Sequence, residues 1–75
     1  MASYTKKEQA RLRKFGAGVR RQRLEVGWSQ EELAEVAGLN RTYVGDLERG
    51  ERNVAFLNLA KLVEALGCSL DDFVS

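Results

Sequence analysis

Two helix-starting residues, Ser29 and Asn40, divide the stretch Trp28–Gly50, WSQEELAEVAGLNRTYVGDLERG, into two short helices joined by a tight turn. Ser29 is a good N-cap, Glu32 three positions on completes a capping box, and Trp28 is placed to staple onto Leu33. The apolar side of this helix is Leu33, Ala34 and Ala37. Gly38 supplies a residue that takes positive φ and stops it, after which Asn40 caps a second helix and Leu39 staples onto Val44. The second helix turns Val44, Leu47 and Glu48 inward and keeps Arg41, Thr42, Gly45, Asp46 and Arg49 outside until Gly50 ends it. An inward face this short and an outward face this polar describe a helix presented for reading something.

The other segments have to support that pair. At 75 residues the chain is a single domain whose core is marginal alone, so oligomerisation would help it. Cys68 is the only cysteine and there is no histidine. An internal disulfide, a Cys/His zinc site and a Cys–His catalytic pair are therefore all excluded, and a reduced, cytoplasmic setting follows most simply. No apolar run approaches the ~18 residues of a membrane span, and MASYTKKEQARLRKFG lacks the apolar centre of a signal peptide. Neither a membrane partner nor a cofactor is expected. The net charge of +1 hides an asymmetry: Met1–Leu24 carry eight basic residues against one acidic, a balance of +7, and the remainder carries −6. Such a basic first third suits a polyanionic partner, or is simply a solvated helix face.

Residues 1–5 are expected to fray. From about Lys6 to Val26 the pattern is helical, with Leu12, Phe15, Val19 and Val26 on one side. Gly16 and Gly18 each weaken that helix by roughly 1 kcal/mol relative to alanine, which means either close packing there or a tolerated defect. Arg23 falls on the same apolar stripe and needs a partner. Glu48, on the inward side of the reading helix, is the candidate, and an Arg23–Glu48 ion pair is predicted; the alternative is two snorkelling side chains that never meet. Asn53 is expected to cap a fourth helix running to Leu66, and Ser69 a short fifth one with Asp72 at its third position. Phe56, Leu57, Leu59, Ala60, Leu62, Val63 and Leu66 spread over more than half of the fourth helix, more than one small subunit should bury. The surplus reads as a two-fold dimer interface over about residues 54–75, with Phe56, Leu57, Leu70, Phe73 and Val74 as its candidates, unless Leu70 and Phe73 only seal the subunit's own core.

With SQEELA opening the first helix, AGL at the turn, LERG closing the second, and NLAKLVEALG and SLDDF following, the chain resembles the phage-repressor-like, or XRE, family of helix-turn-helix regulators. Within it, RTYVGDLERGERN is similar to the controller proteins of restriction-modification systems, small dimers that regulate their own gene and that of the endonuclease. The resemblance implies an all-α, five-helix, lambda-repressor-like DNA-binding domain with its motif over residues 29–50. It also implies that Arg23 and Glu48 are the family's buried pair, that Gln30 binds backbone phosphate, and that Arg41, Thr42 and Asp46 read bases with Tyr43 alongside. Asn40 stands where many controller proteins have aspartate; it caps equally well but differs as a base contact.

On that reading the second helix of the motif lies in the major groove of double-stranded DNA. Arg41 has the reach and fork for guanine O6 and N7, worth about 1–3 kcal/mol against a wrong base. Thr42 bonds a base or sets its methyl against thymine. Asp46 accepts from a cytosine amino group or holds Arg41 from about one turn away, and Gly45 leaves one outward position without a side chain. Phosphate contacts are expected from Gln30, Tyr43, Arg49, Arg52 and Asn53 and from the free N–H groups at the two helix starts. Lys6, Lys7, Arg11, Arg13 and Lys14 are candidates to line one flank. A homodimer places the two reading helices about 34–36 Å apart, so the operator should be a near-palindrome, and RNA polymerase is a further partner at such a promoter. Rival readings are a phage-type or antitoxin-type repressor, a protein-interaction module on the same fold, and an enzyme. The last is poorly served: there is no histidine and no phosphate loop, Asp71 and Asp72 suit a helix start, and Cys68 suits a small packed residue better than a reactive thiol.

Overall fold

Local caps decide where this chain turns helical. The computed structural model describes residues 3–75 and holds five helices in order: α1 Lys6–Val26, α2 Gln30–Ala37, α3 Arg41–Glu48, α4 Phe56–Leu66 and α5 Asp71–Val74. All regular structure among the described residues is α-helical, in the five-helix arrangement expected. Of the residues expected to fray, Met1 and Ala2 lie outside the described ones, and Thr5 is held as the N-cap of α1. Its hydroxyl accepts from Glu8 N–H at 3.1 Å and its own N–H donates to Glu8 Oε1 at 2.8 Å, a capping box that starts α1.

Two glycines let α1 act as the backbone against which the rest is laid. A Cβ on Gly16 would stand 2.6 Å from Glu48 O, and a Cβ on Gly18 would overlap the Phe73 carbonyl, so both are sites of close packing rather than tolerated defects. Through Gly16 the C-terminal half of α3 lies directly on α1; through Gly18 the final turn does. Arg21 then secures that turn by donating from Nη2 to Asp72 O at 2.9 Å. The core assembled in this way takes Phe15 and Val19 from α1, Leu33, Ala34 and Ala37 from α2, Val44 and Leu47 from α3, Leu62 and Leu66 from α4, and Phe73 from α5.

Several expectations are corrected by this packing. Phe73, read as a dimer contact, is fully buried and meets Phe15 edge to face, with ring centroids 5.4 Å apart. The close approach at Gly18 draws α5 inward, so Phe73 seals the subunit's own core. Phe56 and Leu57 remain 79% and 70% exposed, and Leu70 and Val74 are also exposed. Val26, placed on the core stripe, is exposed because α1 outruns its neighbours; Gly27 at φ 81° turns the chain back and Trp28 packs on the core in its place. Asn53 does not cap α4. Its Oδ1 accepts from Val54 N–H at 2.9 Å, Val54 tucks against the core in extended chain, and α4 starts only after Ala55, with no side-chain cap. At the last turn Ser69 donates its N–H to Asp72 Oδ2 at 2.9 Å, but its hydroxyl donates to the same oxygen rather than capping a backbone N–H. No described helix is long and apolar enough to cross a membrane.

Candidate nucleic-acid interface

The α2–α3 pair is built by reciprocal local bonds. Ser29 Oγ accepts from Glu32 N–H at 3.1 Å while Glu32 Oε1 accepts from Ser29 N–H at 2.8 Å. Gly38, at φ 72° with open space where a Cβ would stand, ends α2 for reasons of backbone conformation alone. Leu39 N–H returns to Ala34 O at 2.8 Å, and Asn40 Oδ1 then accepts from Thr42 N–H at 2.8 Å and Tyr43 N–H at 3.4 Å. These caps also consume donors. The first-turn N–H groups left without a cap partner are those of Gln30 and Glu31 on α2 and of Arg41 on α3, fewer than the sequence suggests for anion binding.

Behind the motif Arg23 and Glu48, only 7% and 8% exposed, form a fork. Arg23 Nε donates to Glu48 Oε2 at 2.7 Å and Nη2 to Oε1 at 2.9 Å, while Nη1 donates to Trp28 O at 2.8 Å. The pair therefore joins α1 both to the reading helix and to the turn preceding α2. The hydrogen bond to Glu48 raises the Arg23 pKa against the opposing effect of burial, so the guanidinium stays charged. Removing one partner alone would strand a buried charge, at a cost of about 3–5 kcal/mol.

On the front face Arg41 and Thr42 project from the N-terminal turn of α3. The Arg41 side chain is 64% exposed, and its nearest anionic neighbour is the equally free Glu31, 3.9 Å away. Asp46 does not hold Arg41, as the spacing had suggested. Its carboxylate takes Arg49 Nη2 at 2.5 Å, three residues on the same helix, and Arg49 Nε also donates to Glu51 at 3.2 Å. Arg49 is thus matched by two carboxylates, which weakens it as a phosphate contact. Tyr43, expected at the DNA backbone, has its hydroxyl enclosed without a hydrogen-bond partner, and Arg52 lies over its ring, 5.1 Å from the centroid. What Tyr43 presents outward is therefore a seat for Arg52. Asn53 is exposed in the following loop.

Gly45 is buried, not outward. The place of its missing Cβ lies 3.5 Å from Gln30 Oε1 and 3.4 Å from Arg49 Nη1, so two side chains close over it. Gln30 itself donates from Nε2 to Glu48 Oε1 at 3.0 Å. Sequence reasoning also missed Asn58 and Lys61, which line a cleft beside the start of α3 together with Asn40, Thr42, Tyr43 and Arg52. Their three-residue spacing on the face of α4 nearest α3 is the signal that marks them. Cys68 is half-buried, and burial with Asp72 nearby pushes its thiol above the ordinary range, opposite to what a reactive thiolate needs.

A family model described as helix-turn-helix matches residues 19–73. Over 61 residues the chain is 46% identical to control protein C.BamHI of Bacillus amyloliquefaciens, covering 80% of this chain and 75% of that protein. It is 53% identical over 45 residues to a hypothetical transcription factor of Neisseria meningitidis, 60% of this chain but only 42% of that protein's length. Among solved structures it is similar to the restriction-modification controller protein C.AhdI from Aeromonas hydrophila, with a TM-score of 0.82 and 47% identity over 85% of this chain and 97% of that one.

Proposed function

This chain belongs to the helix-turn-helix transcription regulators, in the branch that holds the restriction-modification controller proteins, and on that premise we propose that it binds a palindromic operator as a homodimer and regulates its own promoter. The observation that carries the proposal is the division of labour within α3. Its inner side is anchored by the buried Arg23–Glu48 fork, and its first turn holds Arg41 out, 64% exposed and met only by the exposed Glu31 at 3.9 Å. From that fixed helix the guanidinium can enter the major groove at the ordering cost of one long side chain, about 0.5–1.5 kcal/mol.

Arg41 and Thr42 then meet base edges. Asp46 contributes through its pair with Arg49, which fixes both side chains along the groove wall. Gln30, Arg52 and Asn53 take phosphate oxygens, and Asn58 and Lys61 extend that line on the α4 side. Phe56 and Leu57, with Leu70 and Val74, supply the apolar surface for the second subunit, and the two-fold axis sets the reading helices about 34–36 Å apart. RNA polymerase is the partner such a bound dimer meets at a promoter, and the protein works in the cytoplasm where the DNA lies.

Fluorescence anisotropy on a duplex from the chain's own upstream region, beside a scrambled duplex and at several salt concentrations, tests this. Arg41→Ala should lose about 1–3 kcal/mol of discrimination at one base pair per half-site. Arg52→Ala should weaken both duplexes alike and lower the salt slope by about one. Equal losses on both duplexes for Arg41→Ala would remove it from base reading. Leu57→Asp should convert the dimer to monomers in analytical ultracentrifugation; an unchanged dimer would move the interface elsewhere.

A further inference from the structure

One bond of the motif joins the buried ion pair to its surface. Gln30 Nε2 donates to Glu48 Oε1, the oxygen that already accepts from Arg23 Nη2, while Gln30 Oε1 rests over Gly45. We infer that Glu48 is a positioning residue for phosphate binding: it fixes which way round the Gln30 carboxamide faces, so that an N–H and not the carbonyl is offered outward. The inference rests on the DNA reading given above and adds to it a role for Glu48 beyond holding α1 against α3.

A carboxamide has a donor end and an acceptor end of nearly the same shape, and a half-turn about Cγ–Cδ exchanges them. On an exposed glutamine both orientations are populated, and half of them present an oxygen that a phosphate repels. Here the exchanged orientation would set Gln30 Oε1 against a carboxylate oxygen. Glu48 cannot swing aside to relieve that, because both of its oxygens are held by the Arg23 fork at 2.7 and 2.9 Å. The amide nitrogen is therefore kept on the Glu48 side. It carries two hydrogens; one is spent on Glu48 and the other is left over, on a side chain that lines a cleft with Ser29, Glu31 and Arg41. The amide oxygen lies across α3 at Gly45, where even an alanine Cβ would meet it only in ordinary contact, 3.5 Å away. The consequence is mechanical: the carboxylate that anchors the base-reading helix also aims the group that grips the strand.

The test uses the full chain, labelled with nitrogen-15, and duplex operator DNA. In the unaltered protein the two Gln30 side-chain amide protons should be separated more widely than those of an exposed glutamine, with the one bonded to Glu48 slow to exchange. A spectrum like that of a freely exposed glutamine overturns the inference without any variant. Glu48→Gln, whose amide donates as well as accepts, should bring the separation back to that of an exposed glutamine. In DNA binding, Gln30→Ala should cost about tenfold in the native background and under about threefold in Glu48→Gln. Should Glu48→Gln fail to fold, Arg23→Met with Glu48→Leu replaces the pair by apolar chains of similar length and should abolish the same coupling. An equal cost of Gln30→Ala in both backgrounds overturns the positioning role and leaves the DNA reading standing. Failure of the unaltered chain to bind any duplex overturns the DNA reading, and this role with it.

Discussion

The two ends of this small molecule are held together by different chemistry. The α2–α3 motif adds polar ties to its buried Leu33, Ala34, Ala37, Val44 and Leu47: a capping box at Ser29, the Asn40 cap, the Arg23–Glu48 fork and the Gln30 bond to that fork. The α4–α5 end has no side-chain cap at either helix start and, beside the bonds of Arg21 and Ser69 to Asp72, rests on apolar burial, the Phe15–Phe73 contact and the close approach of Phe73 to Gly18. Polar bonds are directional and set orientations, which a reading surface requires. Apolar burial is roughly proportional to area and indifferent to orientation, which suffices to close a core and leaves Phe56 and Leu57 outside it. The same segment thus seals the subunit and leaves apolar surface exposed.

The contrast is sharpest at Phe73. Phe73→Ala should cost about 3–5 kcal/mol, most of the stability available to a domain of this size, and should be read as a large drop in the urea midpoint. Gly18→Ala should mimic it without touching the ring, because a Cβ there overlaps the Phe73 backbone and forces α5 off α1. Phe56→Ser, at 79% exposure, should leave the stability of the isolated subunit within about 0.5 kcal/mol. Comparable losses at positions 56 and 73 would mean that both are core positions and that the surplus apolar surface is an illusion.

How legible each end was follows from the same chemistry. Caps and fold-back glycines act within four residues, so the starts of α2 and α3 and the stop at Gly38 could be read from S-x-x-E, from LN and from AGL. Arg23 and Glu48 are distant in sequence, yet each betrays itself as a charge on an apolar stripe, and the two-partner fork in the structure is what such a pair requires. Phe73 was less legible because an apolar residue on a short terminal helix serves a core or an interface with the same side chain; only the missing Cβ of Gly18, far away in sequence, decides between them. Asn53 failed as a cap for a comparable reason. A long-range demand, the burial of Val54, overrode a local propensity and moved the start of α4 onward. Asp46 turned toward the end of α3 because Arg49 at i+3 competes successfully with Arg41, five residues back at its start.

Capping gives a second, smaller way to test the contrast. Asn40→Ala should lower stability by about 1 kcal/mol, since Thr42 and Tyr43 lose an acceptor at the start of α3. Ala55→Asp should act in the opposite direction by about 0.5–1 kcal/mol. Position 55 already has the extended backbone of an N-cap, at φ −73° and ψ 150°, but offers no oxygen to the first turn of α4. Thermal melts of the two variants beside the parent check both signs. If Ala55→Asp gave nothing, α4 would be set by its packing on α2 and α1 alone, and capping would matter only at the reading end.

Gly45 sets orientation against stability within the polar end itself. A glycine in the interior of an eight-residue helix is worth up to about 1 kcal/mol less than alanine, and at Gly45 nothing in the backbone conformation demands it. Unlike the Cβ at Gly18, one at Gly45 would meet only side-chain tips, Arg49 Nη1 at 3.4 Å and Gln30 Oε1 at 3.5 Å, both at ordinary contact distance. Gly45→Ala should therefore raise the melting temperature by an amount corresponding to several tenths of a kcal/mol. A lowered melting temperature would show that Gln30 and Arg49 cannot yield even slightly, and that the polar end is packed as tightly as the apolar one. The expected rise would instead show that the polar end keeps slack at Gly45, and that the glycine weakens α3 without any demand of packing there.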